Sequence, residues 1–153
     1  MLRRRVFIKV SGDLCHRSDV LEWIQKVSQD QFVVVCVGGG TQINEAFEVN
    51  GLPVSFGPLG RETDDFRARQ LARDTLEKNQ RDVQDLLAAK GVFASVIIPF
   101  VDIATVLCPV NGDVMLTTVY LGFNTLYVVT IKEREEEKRK QFAHLSKVQV
   151  KAF

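Results

Sequence analysis

The chain has 153 residues, 46% of them hydrophobic and 25% charged, with a formal net charge of +1. That size and balance suit one folded domain with a core of its own and argue against a disordered chain. They also exclude a strong overall field for nucleic acid or an anionic membrane surface, and no stretch reaches the ~20 apolar residues of a membrane span.

In chain order, Arg3, Arg4 and Arg5 read as a solvated flank of the first strand, with an RNA or phosphate contact as the alternative. The apolar stretch of MLRRRVFIKVSGD is too short for a signal peptide. Residues 6–10 (VFIKV) form an apolar run that stops at Ser11-Gly12-Asp13, the pattern of a buried strand broken by a turn. Residues 18–28 place Val20, Leu21, Trp23, Ile24 and Val27 on one helical face, with Ser18 as the expected cap. Residues 32–37 (FVVVCV) are apolar throughout, as in a parallel strand covered on both faces. Gly38-Gly39-Gly40 lead into a helix that Thr41 is expected to cap.

Residues 51–61 hold three glycines and two prolines and read as a loop with a short hairpin. One long helix is expected from Thr63 to Lys90, with Phe66, Ala72, Leu76, Val83, Leu86 and Leu87 as its apolar stripe and Gly91 as its stop. Strand-like runs follow at 93–98 and 105–108, then a helix from PVNGD through Leu121 and a strand at 125–130. Residues 132–145 read as a solvated helix with i,i+4 ion pairs, and 147–152 alternate as an edge strand does. Cys15, Cys36 and Cys108 have no metal-ligand spacing, Cys36 and Cys108 read as small buried hydrophobes, and a reducing, cytoplasmic setting fits them.

Strands alternating with helices, with no repeat or linker, predict a single domain over 1–153: an α/β fold, a three-layer αβα sandwich with a mainly parallel open sheet. Ligands of such folds collect at the carboxyl ends of the strands, which places Lys9–Asp13, Gly38–Thr41 and Asn111–Asp113 on one rim. The glycine triplet before a helix start offers free amides and the positive end of a dipole to an anion, or else makes a tight turn that needs positive φ. Lys9 interrupts an apolar strand, so it either snorkels from a sheet edge or aims its ammonium into the rim. Thr63 is expected to cap the long helix, leaving Arg61 able to grip a carboxylate or phosphate through two parallel bonds. Asp113 is either a helix cap or a carboxylate that orients Lys9 or binds magnesium.

As an ordered set these segments resemble the amino acid kinase family, over roughly residues 5–130. IKVSGDL is similar to its opening strand and lysine-then-glycine turn, and VVVCVGGGTQIN to its second strand and triplet. GRETDDFRARQLARDTLEKNQ is similar to the segment G-x-R-x-T-D of acetylglutamate kinases with its following helix, and PVNGDVMLTTVYLGFNTLYVVT to the N-x-D helix and the strand ending in threonine. The resemblance implies phosphoryl transfer from ATP with magnesium to a small carboxylate or phosphate acceptor. Lys9 would stabilise the transition state and Asp113 would organise it. Gly12, Gly38, Gly39 and Gly40 would supply backbone donors. Arg61 and Asn111 would hold the acceptor, and Ser11, Gly12 and Thr130 would face the nucleotide; no metal-ligating residue is assigned.

The resemblance also marks departures. Family members continue for another hundred residues or so, into an adenine pocket and a second lysine, whereas only 23 residues follow Thr130 here and Ile131 stands where aspartate is common. Lys132, Lys138 or Lys140 could take the second lysine's place. The expected partners are therefore a small anionic ligand, a further copy of the chain packed along the long helix, and a separate subunit carrying the donor half, with neither nucleic acid nor membrane. The alternative is a non-catalytic relative that binds an anion or nucleotide in a regulatory, assembly or accessory role.

Overall fold

The computed structural model describes residues 3–57, 60–103, 106–109 and 111–153, with 101–103 and 106–109 described by backbone alone. The VFIKV run is the middle of strand β1 (Arg4–Val10), in which Val6, Phe7 and Ile8 are wholly buried. β1 is flanked by β2 (Gln31–Val37) and β8 (Thr125–Thr130), and the sheet extends through β5 (Ser95–Ile97) on one side and β9 (Val148–Ala152) on the other. The order is β5-β2-β1-β8-β9 and every pairing is parallel, with Lys9 of β1 between Cys36 and Val128.

Alternation along β1 decides what each face meets. Val6, Ile8 and Val10 pack with Val20 and Ile24 of α1 (Ser18–Ser28) and with Val83 and Leu87 of α3 (Phe66–Ala89). Phe7 joins Cys36, Leu126 and Val128 against Met115 and Leu116 of α4 (Gly112–Val119) and Phe142 of α5 (Glu135–Phe142). Helices cover both faces of a parallel sheet, as the alternating pattern implies. A smaller cluster joins Ile43 and Phe47 of α2 (Gly40–Val49) to Ala68, Ala72 and Leu76 of α3.

The 51–61 loop contains the expected hairpin, β3 (Phe56–Gly57) with β4 (Gly60–Arg61). Strands β6 (Phe100–Ile103) and β7 (Val106–Pro109) form a second antiparallel pair outside the main sheet; Thr105 and the side chain of Cys108 lie outside the described residues. Among the described residues, no helix is long and apolar enough to cross a membrane.

The expected helix caps are corrected. Neither Ser18 nor Thr41 caps its helix: α1 follows Arg17 and α2 follows Gly39, and neither start carries a side-chain cap bond. The cap of α3 is Asp65, whose carboxylate accepts the Arg67 amide at 2.7 Å, and the cap of α4 is Asn111, which accepts the Asp113 amide at 2.8 Å. Asp and Asn reach back to the N2 amide with one rotamer, so each displaces the neighbouring Thr63 or Asp113 as cap. Phe66, assigned to the stripe of α3, sits at its first turn and is 78% exposed.

Candidate functional site

Because β1, β2 and β8 run parallel, their carboxyl ends open on one rim. The Gly38 amide donates to the Val10 carbonyl at 2.8 Å, and the Ser11 amide to the Val129 carbonyl at 3.2 Å, which locks the turns after all three strands together. Gly12 then lies directly on Gly39. A Cβ at Gly12 would come within 2.9 Å of Gly39 Cα and 2.4 Å of Gln42 Oε1. Gln42 Nε2 donates to the Gly12 carbonyl at 2.9 Å, and the buried Asn79 of α3 donates to the Gly38 carbonyl at 3.1 Å.

The glycine triplet is not a left-handed turn. Positive φ occurs at Gly51, Gly60 and Gly91, and none of the triplet shares it. Gly38 and Gly39 are glycines because backbone and α3 approach them closely, Leu76 coming within 2.9 Å of a Cβ at Gly39. Gly40 has open space around it. It begins α2, and Thr41 turns its hydroxyl away to Asp13. The first amides of α2 therefore lack a side-chain acceptor at the positive end of a ten-residue helix.

Lys9 has no sheet edge to snorkel from, since β1 is central. Its stem crosses Gly112, where a Cβ would stand 2.9 Å from Lys9 Cε, and its ammonium reaches Asp113 Oδ1 at 3.3 Å. The other carboxylate oxygen accepts from Lys138 Nζ at 2.8 Å and from Gln141 Nε2 at 3.2 Å. Lys138 is 5% exposed and also donates to Gln141 Oε1 at 2.8 Å. Burial alone would raise the Asp113 carboxyl, but the charges of Lys9 and Lys138 and the bonds from Lys138 and Gln141 outweigh it and hold the group below its ordinary value. One carboxylate thus holds two ammonium groups at the start of α4.

Of Lys132, Lys138 and Lys140, it is Lys138 that leaves the solvated face on which the sequence reading placed α5. The expected i,i+4 pairs are present, Arg139 with Glu135 and Lys140 with Glu136, yet Lys138 points inward from between them. A signal was available in Phe142, four residues on and buried, which marks Lys138 as sharing the core-facing side.

Arg61 is placed differently from the expectation. One guanidinium nitrogen donates to the Gly40 carbonyl at 3.2 Å and to Asn44 Oδ1 at 2.6 Å, while the Phe47 and Phe56 rings lie 5.2 and 4.8 Å from its centre. The group braces the start of α2, so it does not present a free two-pronged grip. Asn111, beside Gly60, uses its side-chain oxygen on the cap of α4. Thr130 is 1% exposed, its carbonyl taken by the Phe153 amide at 3.1 Å, so it is not an open rim group.

Four buried side-chain atoms among the described residues lack a hydrogen-bond partner: Ser11 Oγ, Gln42 Oε1, Arg61 Nη1 and Asp113 Oδ1. All four belong to residues of this rim, and buried polar atoms are otherwise nearly always satisfied. The described residues hold no group of three or more acidic, histidine or cysteine side chains able to bind a metal. Asp113 in particular has both oxygens facing lysine ammonium groups. Cys15 and Cys36 are buried, which pushes their thiols up to about 11 and about 12, so neither is a nucleophile near neutral pH.

No protein-family profile matches the sequence, and no curated protein does. Solved structures share the fold. The crystal structure of smu.665 from Streptococcus mutans UA159 superposes with a TM-score of 0.70 at 16% identity, over 91% of this chain and 83% of that one. N-acetylglutamate synthase from Neisseria gonorrhoeae, solved with coenzyme A and N-acetyl-glutamate, superposes with a TM-score of 0.57 at 12% identity. That match covers 86% of this chain but 42% of the synthase, so this chain spans less than half of that protein.

Proposed function

We propose that the rim binds a phosphorylated ligand and that the chain is a small phosphotransferase of the amino acid kinase kind, using ATP with magnesium. The observation that carries this reading is the pair of lysines, Lys9 and Lys138, held on Asp113 at the start of α4. A loose phosphoryl transition state needs positioned positive charge more than it needs a base. Lys9 supplies charge from β1 and Lys138 from α5, and Asp113 holds the two ammonium groups at one place. The amides at the start of α2 supply donors to the oxygens of the acceptor or of the transferred group. ATP, when bound, supplies the phosphoryl group and brings its magnesium.

The test is calorimetric titration with ATP–magnesium, joined to phosphorus NMR of mixtures with small carboxylates, N-acetyl-glutamate among them, and small phosphates. Wild type binds and forms a new phosphorylated product. Lys9→Ala and Lys138→Ala each lose turnover by about 100-fold or more, the scale of removing one preorganised charge. A silent titration at millimolar nucleotide ends the reading.

A second reading is favoured by Arg61. With Nη2 bonded to Gly40 and Asn44 and the group set over two rings, Nη1 is left buried without a partner, so Arg61 does not offer an acceptor a free two-pronged grip. A protein that binds a nucleotide or small anion without transferring phosphate would need none. Binding without product formation in the same experiment selects this alternative.

A further inference from the structure

The two edges of the sheet are finished differently. At the β5 edge, α3 closes the ladder with side chains. Gln84 Oε1 accepts the Val96 amide at 3.2 Å, Gln84 Nε2 donates to the Ala94 carbonyl at 3.1 Å, and Gln80 Nε2 donates to the Val96 carbonyl at 2.8 Å. The Val96 amide and carbonyl and the Ala94 carbonyl are thus already bonded to α3 and are not offered to an incoming strand.

The β9 edge has no such closure. Lys147 turns its carbonyl and Phe153 its amide toward β8, so the alternating residues Val148, Val150 and Ala152 turn their backbone groups outward. Among the described residues, the Val148 amide is satisfied by the Leu145 carbonyl at 2.9 Å, and Arg139 reaches the Val150 carbonyl at a long 3.5 Å. Among the described residues, no bond reaches the Val150 amide or the outward groups of Ala152. Lysines often guard such edges, but these two are turned away. Lys147 Nζ donates to the carbonyls of Tyr120 and Phe123, and Lys151 Nζ lies 5.3 Å from the centre of the Phe153 ring. An open groove of about 520 Å³, lined by Arg139, Phe142, Leu145, Val148 and Val150, runs alongside.

We infer that β9 pairs antiparallel with β9 of a second copy of this chain, joining two five-stranded sheets across a two-fold axis at Val150. The outward groups set the register. The Val150 amide and carbonyl bond those of Val150 in the second copy, and the Ala152 amide bonds the Val148 carbonyl in both directions. Charge identifies the occupant as the same chain. α5 begins with Glu135, Glu136 and Glu137 and ends with Arg139 and Lys140, and in the single chain Glu135 pairs with Arg139 and Glu136 with Lys140, pairs that must exchange between the two copies. The two-fold axis sets the two α5 helices antiparallel on one face of the joined sheet, so each acidic start meets a basic end. An unrelated acidic or basic peptide would complement only one half.

Sedimentation equilibrium across a micromolar concentration series tests this with the full chain. Wild type reaches twice the monomer mass. Val150→Pro removes the central donor, which faces away from β8, so the ladder stays intact and this variant remains monomeric. Arg139→Glu/Lys140→Glu and Glu135→Lys/Glu136→Lys each remain monomeric alone, and their equimolar mixture doubles in mass. A wild type that stays monomeric throughout, a dimer that survives Val150→Pro, or a mixture that stays monomeric overturns the inference. Should Val150→Pro unfold, the mixture alone decides.

Discussion

At the scale of single residues, Asp113 carries the most consequence. Its carboxylate is 12% exposed and is the shared counter-charge of Lys9 and Lys138, which are 12% and 6% exposed. Asp113→Asn leaves two largely buried ammonium groups facing an amide and is expected to cost about 3–5 kcal/mol in a urea melt. Because the folded carboxyl is held below its ordinary value, its contribution is present above the unfolded value near ~3.9 and is lost as pH falls through the lower folded value. Melts from pH 7 downward should therefore show wild type and Asp113→Asn converging at acid pH. A pair of glycines offers a second residue-scale contrast. Gly12→Ala drives a Cβ into the Gly39 backbone and Gln42, and is expected to lower stability by about 1–3 kcal/mol. Gly40→Ala meets nothing within 4 Å and leaves the melt within about 0.5 kcal/mol of wild type. It narrows the approach to the α2 amides, so ligand affinity falls while stability holds, and calorimetry beside the melt reads both.

At the scale of elements, the sheet owes one edge to a helix. Gln84 supplies both a donor and an acceptor to β5, whose ladder toward β2 is only three residues long. Gln84→Ala leaves the Val96 amide and the Ala94 carbonyl without these partners, at an expected loss of about 1–3 kcal/mol by urea titration. Hydrophobic periodicity made α1, α3 and the strands of the parallel sheet legible, because an apolar stripe and an apolar run are local properties. The caps were less legible. Ser18, Thr41 and Thr63 are good capping types, yet cap choice turns on which oxygen can reach an N2 or N3 amide once the preceding loop is fixed. α5 shows the same limit. Its charge pairs can be read along one exposed face, but the inward path of Lys138 depends on Asp113, twenty-five residues earlier and on another helix.

For the molecule as a whole, stability concentrates in β1, β2 and β8, whose side chains fill the clusters on both sheet faces. The β3–β4 hairpin is two residues per strand and stands outside the main sheet. Native-state hydrogen exchange should find the slowest amides in β1 and β8 and the fastest opening in β3–β4, where few buried contacts hold the backbone. Equal protection in the two regions would overturn that ranking.

The residues by themselves determined the alternation of strands and helices, the parallel sheet and the rim on which its strands end. These follow from polar and apolar spacing and from the rule that parallel strands end on one side. Only the tertiary structure decided which rim groups are free. It spent Arg61 on Gly40 and Asn44, buried Thr130, and drew Lys138 to Asp113, because each outcome depends on distances between segments far apart in the chain.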